Sequence, residues 1–122
     1  MGPGLLRKFV SFARQIDPSE IAAIKLHTNE LERSFAPPSP GAPRRINLDP
    51  GYICGSKLVL ATMKNHSHRI YLGQGVYVEI TLEFRKGAFR PLEKTYRDYA
   101  SEPYIRFFTK VRERYLEKQR SP

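Results

Sequence analysis

The chain has a single cysteine, Cys54, so no disulfide can form within it, and no CxxC metal pair is present. No apolar run approaches the roughly 20 residues that a bilayer-spanning helix needs. The opening MGPGLLRKF has neither the apolar stretch nor the small-residue cleavage site of a secretory signal. A cytoplasmic setting without membrane partners is therefore expected. There is no GxxxxGK[ST] phosphate loop, and Gly73-Gln74-Gly75 alone does not make a dinucleotide fingerprint, so a conventional P-loop nucleotidase is not expected and the motifs leave any cofactor unknown. Acidic residues are also scarce: 12 Asp and Glu face 21 Lys and Arg, a net charge of +9. Such a surplus suits polyanionic partners: a small phosphorylated molecule, or RNA.

What remains is ample for one domain. The 122 residues are 40% hydrophobic, which fits a globular fold better than a disordered one. RKFVSFARQI at 7–16 reads as a strand. Asp17, Pro18 and Glu20 form a capping-box start, and Ile21, Ile24, Leu31 and Phe35 follow at helical spacing, predicting a helix over 18–35. APPSPGAPRR at 36–45 is an exposed proline-rich loop within the domain. INL at 46–48 is a short strand candidate, and DPG at 49–51 has turn chemistry. SKLVLATMK at 56–64 suits a short helix or a buried strand, and the helix is preferred because Ser56 can cap it.

HRIYL (68–72) and VYVEITLEFR (76–85) flank the glycine-rich loop as a hairpin. In the second strand, Val76, Val78, Ile80, Leu82 and Phe84 alternate with Tyr77, Glu79, Thr81, Glu83 and Arg85, predicting one buried and one polar face. Lys86-Gly87 then turns the chain. A last helix is expected from Ser101 to about 119, with a frayed tail at 118–122. The class is α+β: a small antiparallel or mixed sheet with a hairpin at 68–85, and helices packed mainly on one face.

Chemistry concentrates between residues 47 and 75. Lys57, Lys64, His66, His68 and Arg69 are close in sequence with no acid among them, and the Gly73–Gly75 loop offers backbone donors for an anion. Asn47, Asp49 and Glu79 add polar groups. Asp49 more often bonds its own turn, and Glu79 more often pairs across strands with Arg69 or Lys64. His68 with Asp49 is the only acid–base pair worth naming, and no reaction follows from it. His66-Ser-His68 has the spacing of a zinc pair, but no third ligand stands at a recognisable distance, so no metal is assigned. Cys54 has no adjacent base, and His27, Asn29 and Glu30 default to the solvent side of the first helix. On the last helix Arg106, Lys110 and Arg114 recur at four-residue steps, an alternative track for nucleic-acid phosphates. An open sheet edge that takes a partner strand is a further alternative.

NLDPGY, SKLVLAT, SHRIYLG and the closing Y..FF..VR..Y resemble a bacterial family of domains of unknown function. The resemblance runs from about residue 5 to residue 118 and implies a length of roughly 180 residues, within the usual range of one domain. It implies that residues 1–122 are the C-terminal two-thirds of a single domain that lacks some sixty residues upstream. Some members carry an automatic GTP-binding label, which the missing phosphate loop does not support. Asn47, Asp49, Lys57, His68 and Arg69 fall within the family motifs, whereas His27 and His66 stand where other residues are usual.

Overall fold

The computed structural model describes residues 7–35 and 46–120. The proline-rich segment 36–45 lies outside the described residues. The capping box forms: Asp17 accepts from the Ser19 N–H at 2.9 Å, and Glu20 accepts from the Asp17 N–H at 2.7 Å. A short 3-10 turn, Pro18–Glu20, leads into helix α1, Ile21–Ser34.

Five strands follow: β1 Gly51–Ile53, β2 Lys57–Thr62, β3 Ile70–Gly73, β4 Val76–Arg85 and β5 Ala88–Pro91. Helix α2, Glu102–Arg120, closes the fold. All pairings are antiparallel, in the order β1-β2-β4-β3 with β5 also beside β4. The class is therefore α+β. Both tight turns use two residues with positive φ, Gln74-Gly75 (56° and 81°) and Lys86-Gly87 (54° and 81°), as hairpins with primed turns require.

Several expectations are corrected. Residues 56–64 do not form a helix, because Leu58, Val59 and Ala61 are buried in a strand flanked on both sides, and a continuous apolar run serves that position. Residues 7–16 are not a strand. They cross α2 as a strap, with Phe9 edge-on to Tyr104 (4.6 Å between centroids) and stacked on Phe107 (5.1 Å). Residues 46–48 do not join the sheet either. The Leu48 N–H donates to Glu32 Oε2 at 2.6 Å and its carbonyl accepts from Lys25 Nζ at 3.3 Å, so α1 side chains replace a ladder.

Asp-Pro-Gly does not form a turn. The Pro50 carbonyl accepts from the Ala61 N–H, and Gly51 begins β1, where a Cβ would stand 2.4 Å from the Val59 oxygen. Helix α2 runs to Arg120, and Lys118 donates to the Ala13 carbonyl; 121–122, the end of the expected frayed tail, lie outside the described residues.

The alternation of β4 breaks at one point. Leu58 pairs with Leu82 and Val59 with Ile80, leaving Thr81 as the extra residue of a bulge. Leu82 thereby turns to the opposite face from Ile80. Glu79 and Thr81 become buried, and Ile80 is 44% exposed. The two faces carry different helices. Leu58, Leu82 and Phe89 cluster with Tyr99 and Phe108 under α2, while Ala61 and Val76 cluster with Ile21 of α1. Since Leu58 and Ala61 are an odd number of positions apart on one strand, the helices lie on opposite sides, not mainly on one.

Candidate functional site

The site begins as a gap in strand pairing. β2 occupies one edge of β4. On the other edge β3 pairs with residues 76–78 and β5 with residues 82–85, so neither pairs with Glu79, Ile80 or Thr81. The chain entering β3 brings His68 and Arg69 to one end of this notch. The chain leaving β5 brings residues 92–95 to the other, where Thr95 Oγ1 donates to the Thr81 carbonyl at 2.7 Å and accepts from the Leu92 N–H at 2.8 Å.

A hollow of about 500 Å³ opens over the notch on the α1 side of the sheet. Tyr52, Val59, Val78 and Ile80 supply apolar sheet surface, Ile70 and Leu92 flank it, and Lys57, Ser67, His68, Glu79, Glu93, Lys94 and Thr95 supply polar groups. That size and that mixture suit a small organic ligand.

Glu79 is the best-anchored group here. Its side chain is 8% exposed, and Arg69, equally buried, donates to Oε1 from Nε at 3.1 Å. Arg69 also donates to the Lys64 carbonyl at 3.1 Å. The guanidinium is thus engaged internally and neutralises a buried carboxylate. His68 Nε2 is 3.2 Å from the other oxygen, Oε2. A carboxylate only accepts, so the ring proton is on Nε2. His68 Nδ1 lies 3.0 Å from His66 Nδ1, and Lys94 Nζ donates to Ser67 Oγ at 3.1 Å. A second hollow of about 370 Å³, lined by Lys64, His66, His68, Arg69 and Lys94 among others, opens beside these rings.

The structure brings together Lys57, His68 and Glu79 around the first hollow, and His68 with Arg69 around the second. It does not bring in Asn47, Asp49, Gly73 or Gly75, which line neither. Asn47 Nδ2 donates to Asp49 Oδ2 at 3.1 Å, so Asp49 is not the partner of His68; Glu79 is. The Gly75 N–H is taken by the Tyr71 hydroxyl at 3.1 Å. Lys94 was missed by sequence reasoning. It stands 25 residues after Arg69, and only the return of the chain after β5 places it there.

Elsewhere, Arg106, Lys110 and Arg114 are all exposed on α2, with Arg106 paired to Glu102 at 2.9 Å. Burial pushes the Cys54 thiol up, but the Ser56 hydrogen bonds and the Lys57 charge together leave it below its ordinary value. No helix among the described residues is long and apolar enough to cross a membrane.

Compared with known families, residues 1–115 match the model described as "Domain of unknown function (DUF4416)". No curated protein and no solved structure matches the chain.

Proposed function

The chain belongs to the DUF4416 family, and from that premise we propose that the hollow over the β4 notch binds a small anionic ligand with an apolar or planar part, such as a nucleoside phosphate. The observation that carries this is the pairing of apolar sheet surface with two lysines, Lys57 and Lys94, in the lining of one hollow. The Lys57 ammonium has no hydrogen-bond or ion-pair partner among the described residues, because Glu83, its cross-strand neighbour, is paired to Arg85 at 2.9 Å. His68 adds a ring edge, and Ser67 and Thr95 add hydroxyls. Arg69 has a different part from the one its sequence position suggests: it holds Glu79, which holds His68. The ligand is proposed to meet Lys57, Lys94 and His68, without Asn47, Asp49 or the glycine loop.

Titration calorimetry with pyrophosphate and nucleoside monophosphates tests this. Saturable binding is expected, weakened about tenfold or more by Lys57→Ala and by Lys94→Ala, the scale of one charge-assisted contact. Absence of binding across the panel, or binding indifferent to both substitutions, overturns it.

A second reading rests on α2, where three exposed cations at four-residue steps offer a track for RNA phosphates. It predicts affinity for mixed RNA that falls steeply with salt and with Arg106, Lys110 and Arg114 substitutions. A third rests on β3, whose Ile70, Tyr71 and Leu72 are all exposed at a sheet edge able to accept a partner strand. A shift in mass on gel filtration that Tyr71→Lys abolishes is its signature.

A further inference from the structure

The geometry points to a divalent transition-metal site at His66 and His68, opening on the second hollow and independent of whether the first binds an anion. Two observations combine. Glu79, buried and fixed by Arg69, accepts from His68 Nε2, which leaves the Nδ1 lone pair of His68 facing away from the carboxylate. This carboxylate–imidazole arrangement orients a ring and raises its basicity in established metal centres. Next, that Nδ1 lies 3.0 Å from His66 Nδ1. With metal–nitrogen bonds of about 2.0–2.1 Å, two imidazole nitrogens on one ion stand roughly 3 Å apart, so the pair already has the required separation.

Without an ion, the two nitrogens are within hydrogen-bond distance of each other. His66 is exposed, so its ring is free to turn and aim both lone pairs at one point.

The donor set also sets limits. Among the described residues no group of three or more His, Cys, Asp or Glu side chains could hold an ion, so water completes the coordination shell and the site remains open. Imidazole donors suit Zn²⁺, Ni²⁺ and Cu²⁺, with Cu²⁺ bound most tightly. Lys94, bonded to Ser67 Oγ at 3.1 Å, places a like, repelling charge beside the ion.

Titration of Zn²⁺ and Cu²⁺ into the full chain, without any organic ligand, is the test. One equivalent of either ion is expected, with Cu²⁺ tighter. His66→Asn and His68→Asn should each remove that equivalent, Glu79→Gln should weaken it by about ten- to hundredfold, and His27→Asn on α1 should change nothing. Electron paramagnetic resonance of the Cu²⁺-loaded wild type should show two equatorial imidazole nitrogens, a readout that needs no folded variant. Lys94→Met separates the two proposals: it should tighten metal and weaken pyrophosphate. No stoichiometric ion, an ion retained in His66→Asn, or one lost in His27→Asn would overturn the assignment.

Discussion

The two faces of one sheet are built to different ends. Under α2 the surface is closed with aromatic rings: Phe9, Tyr99, Tyr104, Phe107 and Phe108 contact one another edge-on or stacked, and Arg112 lies 3.4 Å over the Phe84 ring while donating to the Gly55 carbonyl. Under α1 the cover is partial. The helix packs on the Ala61 and Val76 end, and the rest of that face carries the hollow, with Ile80 and Ile70 left open. The pivot between them is the single bulge at Thr81, which rotates Leu82 into the closed face. One extra residue thus divides a strand into a part that stabilises and a part that lines a site.

This contrast is breakable along β4 itself. Leu82→Ala should cost about 4 kcal/mol in urea unfolding, since Leu82 is fully buried and its cavity cannot fill. Ile80→Ala, two residues away, should stay within about 0.5 kcal/mol. Equal costs would contradict the bulge. Glu79→Ala should destabilise by about 3 kcal/mol, because it leaves the Arg69 charge buried without its partner.

Thr81→Val should instead stabilise, by about 1 kcal/mol. The Thr81 hydroxyl is buried with no hydrogen-bond partner among the described residues, and removing it forfeits nothing.

A further effect is on pH dependence. Burial, and next the Asp49 charge, push the Tyr99 hydroxyl up to about 12. The folded state therefore holds this proton more tightly than the unfolded chain, which releases it near pH 10. The resulting stability is complete below pH 10 and is lost as pH rises from 10 through 12. In Tyr99→Phe that decline should flatten; an unchanged alkaline slope would place its origin elsewhere.

Local chemistry was legible in the sequence; partnership was not. The Asp17 capping box, the α1 periodicity and the 68–85 hairpin each need only neighbours a few residues away, and each formed. SKLVLAT could not be resolved by period alone, because a strand buried on both faces has no alternation to display. RKFVSFARQI has strand-like composition, yet its aromatics pack on α2, a helix nearly 100 residues later. At the site, the cationic cluster was visible but its allegiances were not. Nothing in the spacing of Arg69 and Glu79 shows that both become buried together, or that Lys94 returns to line the same hollow as Lys57.

Amide NMR spectra of the labelled chain during a pyrophosphate titration bear most directly on the divided sheet. The account predicts saturable shifts confined to Lys57, Ser67–Arg69, Glu79–Thr81 and Leu92–Thr95, with α2 silent. Shifts centred on Arg106, Lys110 and Arg114, or none at all, would contradict it.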